Sequence, residues 1–215
     1  MENKSTRIEK RFDYIKKHLS EDEINENPYI QFGLWHKEAM TELALKECSF
    51  VLSTVSDTGP DSRVMLLKEF DENGFIFFTN YKSNKGMQID KNNNVCALFF
   101  WPKLERQLKI SGQAFKLEKE HSLKYFLTRP RGAQISACAS KQSSKIPNRA
   151  FLEENAARIT EELKNKNVEM PDFWGGYRLI AEKFEFWQGR KDRLHDRIEY
   201  NKLNNDEWSK RRLAP

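Results

Sequence analysis

An α+β fold built mainly on antiparallel β-structure is what the sequence predicts, and three observations carry that prediction. From Ser49 onward short apolar runs recur between Gly-containing turns, such as Asp57-Thr58-Gly59-Pro60 and Asp71-Glu72-Asn73-Gly74. Apolar residues at helical spacing occur only in a few flanking stretches. Fifteen Phe, six Tyr and five Trp among 215 residues supply an aromatic core and exclude a disordered chain.

Residues 1–27 are polar and charged and read as a mobile arm, with a short helix around Arg7–Leu19. The rest, 28–215, reads as one domain. Pro28 opens a helix whose Phe32, Trp35, Ala39 and Leu43 share an apolar face. Strands are expected at Phe50–Leu52, Arg63–Phe70 and Phe75–Thr79, then a short helix over Ser83–Lys91. Val95–Trp101 and Arg106–Leu117 form two more strands around a turn at Pro102. Glu118–Thr128 is helical and stopped by Pro130, and Asn148–Asn165 is a second helix after the polar loop Ser140–Pro147. Tyr177–Trp187, Arg193–Tyr200 and Glu207–Leu213 read as the closing strands.

The net charge of +5 admits nucleic acid, an anionic membrane or phosphorylated small molecules as partners, and does not choose among them. No apolar run approaches the ~20 residues of a membrane helix, and Met1–Lys17 has no apolar signal-peptide segment. Cys48, Cys96 and Cys138 are odd in number and lack metal-ligand spacing, which suits a reducing compartment. A cytoplasmic protein without a metal is the expectation.

Residues 121–150 contain Lys124, Arg129, Arg131, Lys141, Lys145 and Arg149 but no Asp or Glu, in a chain with 32 acidic residues. Ser122, Thr128, Ser136, Ser140, Ser143 and Ser144 add neutral donors. A solvated basic face and a nucleic-acid surface are open readings; solvated faces usually mix signs, and Tyr125 and Phe126 are the only aromatics available for stacking. Arg, Lys and hydroxyl donors together also suit a phosphate group. Arg63 and Lys68 stand on opposite faces of one strand, as anion ligands or as an edge feature. Thr79, Asn80, Ser83 and Lys85 place donors at the start of a short helix, where anions bind well. Two such sets suggest two phosphorylated ligands.

Near the C-terminus, Phe173-Trp174-Gly175-Gly176-Tyr177 and Phe186-Trp187-Gln188-Gly189 join aromatics to glycine, for core packing or for a flat ligand. In Arg193-Leu194-His195-Asp196-Arg197, strand alternation puts Arg193, His195 and Arg197 on one face, where an anion or an electron-rich ring would relieve their repulsion.

Taken in order, RVMLLK (63–68), Phe78-Thr79-Asn80, Glu105-Arg106-Gln107, Tyr125-Phe126, Arg129-Pro130-Arg131, SKQSS (140–144), FWGG (173–176), FWQG (186–189), RLHDR (193–197) and the terminal RLAP closely resemble the pyridoxamine 5′-phosphate oxidase family. The resemblance spans about residues 50–215. It implies an FMN-binding split β-barrel and a homodimer with two FMN molecules at its interface. It also implies oxidation of pyridoxamine or pyridoxine 5′-phosphate to pyridoxal 5′-phosphate, with oxygen as acceptor and hydrogen peroxide as product. Nucleic acid and membrane are then not partners.

By position, the resemblance gives FMN contacts at Arg63, Val64, Met65, Leu66, Leu67, Lys68, Phe78, Thr79, Lys85, Gln107, Gln142, Ser143, Trp187 and Arg197. It gives substrate contacts at Lys68, Tyr125, Arg129, Arg193 and His195, the last two serving as catalytic residues. Arg11 and Tyr14 match an N-terminal pair that closes over the site. The chain departs from the family pattern at Ala133 (commonly Ser), Asn84 (often basic) and Phe78 (commonly Tyr). The alternatives are another split-barrel flavin protein, which would lack the RLHDR tail and the Tyr125–Arg129 pair, and a B6-phosphate-binding protein without oxidase activity.

Overall fold

The computed structural model describes residues 13–43 and 48–215. Helix α1 (Pro28–Glu42) starts where Asn27 accepts hydrogen bonds from the backbone N–H groups of Tyr29 and Ile30, with proline in the first turn. It buries Phe32, Trp35 and Ala39, the face its spacing predicts. Strands β1 (Cys48–Ser56) and β2 (Gly59–Leu67) form a hairpin; Gly59 closes its tight turn at φ 127°, a backbone conformation that side chains resist. After β3 (Glu69–Asp71) and β4 (Gly74–Asn80) come α2 (Asn84–Lys91), β5 (Asn94–Trp101) and β6 (Arg106–Lys116). Helices α3 (Lys119–Thr128), α4 (Arg131–Ala139) and α5 (Arg149–Glu162) precede β7 (Trp174–Gln188), β8 (Asp196–Lys202) and β9 (Trp208–Leu213).

The strands make one antiparallel sheet in the order β2-β1-β5-β6-β7-β4-β3. The 15-residue β7 is its hub. Along one edge β7 pairs with β6; along the other its first half, from Trp174 to Leu179, pairs with β4 and its second half, from Lys183 to Gln188, pairs with β8. The sheet therefore divides at β7 and curls around one apolar interior. Phe32, Phe50, Phe75, Phe77, Phe99, Phe184 and Phe186 lie in that interior at 3% exposure or less. Their rings meet edge-on or tilted around Phe32, which contacts Phe70, Phe75 and Phe99 at centroid distances of 4.7–5.3 Å. Phe126, Ile135, Val168 and Trp174 form a smaller cluster that seats α3 and α4 beside the start of β7.

The mainly antiparallel α+β class stands as predicted, with three local differences. The strand expected over Arg63–Phe70 is broken at Lys68, whose N–H donates to the Ile76 carbonyl as the chain leaves β1 and joins β4. Pro130 ends α3 and also opens α4, an element the sequence reading did not contain. The strand expected from Arg193 begins only at Asp196: residues 191–193 form a 3₁₀ turn in which Asp192 and Arg193 take φ 55° and 62°. Strand alternation thus does not place Arg193, His195 and Arg197 on one face.

Of the arm, residues 1–12 lie outside the described residues, including Arg11 and the first part of the helix expected around Arg7–Leu19. Residues 13–19 run without helix. From Lys16 the chain is fastened to the main body. Lys16 N–H donates to Glu105, Leu19 N–H to Asp196, and the Tyr200 hydroxyl to the Asn25 carbonyl. Arg212 donates to both Glu21 and the Leu19 carbonyl.

Candidate active site

Two contiguous clefts of about 430 and 490 Å³ share Val64, Met65, Phe78, Arg129 and Trp174. The first is lined further by Arg63, Thr79, Lys85, Ser136, Ser140 and Gln142. Arg63 projects from β2 and is held by Thr54 (2.6 Å), Asp61 (2.6 Å) and Gln88 (3.1 Å). Lys85 sits in the first turn of α2, behind the N-cap Ser83, with its ammonium 3.3 Å from the Thr79 hydroxyl. Burial, and secondly the charge of Arg63, hold Lys85 below the ordinary lysine range, with Asp61 opposing. Two cations, Arg63 and Lys85, line one cleft beside the start of α2, with Asp61 bound to Arg63, an arrangement that suits an anion. The polar loop closes this end: Ser143, at φ 72°, accepts from the Asn84 N–H, and Gln142 accepts from the Thr79 hydroxyl.

The second cleft adds Leu66, Lys68, Tyr125, Thr128 and Ala133. Phe78 stacks on Tyr125 at 3.9 Å and on Trp174 at 5.5 Å, making an aromatic wall. The Arg129 guanidinium lies 4.7 Å from the Trp174 ring, and burial pushes its pKa down. Its Nη1 is buried and has no hydrogen-bond partner among the described residues. A buried guanidinium nitrogen without an acceptor is costly, and an anionic ligand in this cleft would supply one. Leu67, by contrast, is 8% exposed and belongs to the apolar interior.

A second cluster is assembled by strand register. Gln107 on β6 pairs with Trp187 on β7, and Trp187 pairs with Arg197 on β8, so the three stand in one row across the sheet. The His195 ring is 4.7 Å from Trp187, and Tyr14 packs against both at 5.7 and 5.8 Å. Gly189 admits Tyr14 there; a Cβ at position 189 would lie 2.5 Å from its ring. His195 Nδ1 accepts the Arg190 N–H at 3.0 Å. A backbone N–H can only donate, so the neutral ring carries its proton on Nε2. Arg193 is exposed, turned outward by two successive left-handed residues.

None of Gln107, Trp187, Arg193, His195 and Arg197 lines either cleft. The cleft residues Phe78 and Thr79 pair with Gly176 and Gly175 at the start of β7, whereas Trp187 is near its end. Eleven residues of strand separate Gly176 from Trp187, roughly 35 Å along the strand. One protomer therefore carries two separate clusters of the residues expected in the site.

Residues 36–162 match the family model described as pyridoxamine 5′-phosphate oxidase. Residues 174–215 match that of the pyridoxine 5′-phosphate oxidase C-terminal dimerisation region. The chain belongs to the pyridoxamine 5′-phosphate oxidase family. The pyridoxine/pyridoxamine 5′-phosphate oxidase of Rippkaea orientalis is 46% identical over 206 residues, covering 95% of this chain and 97% of the relative. That of Haemophilus influenzae is 47% identical over 206 residues with the same coverage. The crystal structure of PhzG from Burkholderia lata in complex with tetrahydrophenazine-1-carboxylic acid has a TM-score of 0.83 at 29% identity, covering 90% of this chain and 95% of that one. A pyridoxamine 5′-phosphate oxidase-related, FMN-binding protein from Nostoc punctiforme shares the fold, at a TM-score of 0.67 and 16% identity.

The split barrel and the family resemblance read from the sequence are both borne out. This member of the pyridoxamine 5′-phosphate oxidase family also has one cleft residue that the sequence did not point to, Ala137, and three that it offered only as general donors or as an aromatic surface: Asn80, Ser136 and Trp174. Ser136 and Ala137 lie on α4 and Trp174 enters by pairing with Asn80 on β4, so spacing alone could not bring them together. Trp174 was legible only as an aromatic beside two glycines.

Proposed function

We propose that this chain oxidises pyridoxine and pyridoxamine 5′-phosphates to pyridoxal 5′-phosphate as an FMN-dependent homodimer, in vitamin B6 synthesis and salvage. Oxygen takes the electrons and leaves as hydrogen peroxide; water enters and ammonia leaves when the substrate is the amine. The observation that carries this reading is the pair of anion-binding corners in one groove. Arg63 and Lys85 form one, and Arg129, whose buried Nη1 has no hydrogen-bond partner among the described residues, forms the other with Lys68 and Tyr125. They suit two phosphorylated ligands lying side by side.

The residues present fit FMN, whose bound isoalloxazine supplies a two-electron acceptor at the substrate carbon. Arg63 and Lys85 would bind its phosphate, with Thr79, Gln142 and Ser143 closing around it. Lys68, Tyr125 and Arg129 would bind the substrate phosphate. Gln107, Trp187 and Arg197 would meet the flavin rings, and Arg193 and His195 would cover the substrate, all from the partner's half-site. His195 would offer Nε2–H to a polar substituent of the pyridine ring and orient it. Tyr14 would brace His195 from the arm, and Arg11 would accompany it. Three thiols without a disulfide among the described residues, and no described helix long and apolar enough to cross a membrane, are compatible with a cytoplasmic enzyme.

Oxygen uptake tests the reading. Pyridoxine and pyridoxamine 5′-phosphates should each drive oxygen consumption and peroxide release, and their unphosphorylated forms should not at the same concentration. Arg129→Ala should raise KM for both phosphates by about tenfold or more, since a charge-assisted hydrogen bond is worth about 1.5–3 kcal/mol. A yellow protein that binds these phosphates without consuming oxygen would be a carrier instead.

A further inference from the structure

Glu185 is a carboxylate at 4% exposure in the second half of β7, and the proposed reaction gives it no role. It stands on the face of β7 that carries Trp187, two residues away, and directly opposite Lys109 on β6. Its two oxygens are divided between two cations. Oε2 accepts from the Lys109 ammonium at 2.5 Å. Oε1 accepts from Arg197 Nε at 3.0 Å, and Arg197 Nη2 lies 2.8 Å from the same oxygen. Arg197 Nη1 donates to the Ala214 carbonyl at 2.7 Å. One edge of the guanidinium is thus fixed by Glu185 and its end is tied to the C-terminal segment, so its orientation beside the cross-strand neighbour Trp187 is set from two sides.

Burial alone would raise the Glu185 pKa, but hydrogen bonds from Lys109 and Arg197 overcome that, and the carboxyl lies below its ordinary range. The other buried acid on this face, Glu199, is taken up by Lys183, Arg211 and Asn201. Glu185 is therefore the carboxylate that restrains Arg197 among the described residues. An exposed arginine samples many rotamers, and ordering it on binding costs conformational entropy. An arginine clamped in advance does not meet that cost.

We propose that Glu185 is a positioning residue: with Lys109 as its counter-anchor, it presets the Arg197 guanidinium to receive the FMN ring system. The proposal rests on the reading of Arg197 as a flavin contact. It assigns Glu185 no contact with FMN and no proton to move.

The test is a double-mutant cycle read by FMN affinity. Full-length enzyme freed of flavin is titrated with FMN and followed by quenching of flavin fluorescence. Glu185→Ala should raise the FMN Kd about tenfold, and Glu185→Gln, which keeps the shape and an acceptor oxygen, about threefold. Arg197→Ala should also raise it, and adding Glu185→Ala to Arg197→Ala should change nothing further. The visible circular dichroism of bound FMN should change in Glu185→Gln, a variant whose apo-protein melting midpoint should stay near that of the parent. Equal weakening by Glu185→Ala with and without Arg197 would overturn the proposal, as would an unchanged Kd in Glu185→Ala beside a raised one in Arg197→Ala. An unchanged Kd in Arg197→Ala would instead remove the flavin reading of Arg197, and the proposal with it.

Discussion

His195 presents its site with a hydrogen-bond donor rather than a base. The Arg190 N–H occupies Nδ1, so a proton can be gained there only by breaking that bond. Burial, then the positive charge of Arg193, hold its pKa below the ordinary 6.5 against the pull of Asp196. The folded pKa lies below the unfolded one, so the folded state favours the neutral ring. That preference is fully present above pH 6.5 and is lost as pH falls through the folded value. Nitrogen-15 NMR of histidine-labelled protein should therefore show a neutral ring protonated on Nε2 at pH 7, with a midpoint below 6.5. A midpoint above 6.5, or a proton on Nδ1, would contradict the geometry. Acid adds its proton at Nδ1 and leaves Nε2–H in place, so turnover that depends on the ring orientation set by the Arg190 bond should fall only on the acid side of that midpoint.

Among the elements, residues 13–27 and the C-terminal strands act as one unit through Arg212. Its guanidinium donates to Asp196, to both oxygens of Glu21 and to the Leu19 carbonyl. The Arg212 hydrogen bonds hold the Glu21 carboxyl down at about 2. This folded pKa is depressed, so the tie is complete above the ordinary carboxylate range and weakens as pH falls toward 2. Arg212→Ala should speed hydrogen exchange at the Leu19 amide about tenfold, the factor for loss of about 1.4 kcal/mol of local protection. Unchanged exchange would mean that Tyr14, Lys16 and Tyr200 suffice to hold the segment. The sequence made the helix at Pro28, most strands and the acid-free basic stretch 121–150 legible, because periodicity and charge are local properties. It did not disclose α4, whose Gly132, Ser136 and Cys138 are weak helix formers and whose apolar face is only Ile135 and Ala139. Nor did it disclose the turn at 191–193. RLHDR alternates well enough for a strand, but tertiary ties at Arg190 and Asp196 put Asp192 and Arg193 into left-handed conformations costing about 1–3 kcal/mol each.

At the scale of the whole molecule, β7 explains why one chain does not enclose the proposed ligands. Its first half belongs, through β4, to the groove of Arg63, Lys85 and Arg129; its second half belongs, through β6 and β8, to Gln107, Trp187 and Arg197. All of β7, with β8 and β9, lies in the segment that matches the dimerisation region. In a two-fold dimer each groove can meet the partner's row, giving two equivalent composite sites. Mixed dimers distinguish this from a site within one chain. Lys85→Ala damages the groove and Arg197→Ala damages the row, so each homodimer should lose most of its activity. When equal amounts are unfolded and refolded together, half of the dimers are mixed. Each mixed dimer joins one intact groove to one intact row, so activity should return to about a quarter of the parent value. If both half-sites served a single chain's ligand, every chain in the mixture would still carry a lesion, and mixing would restore nothing.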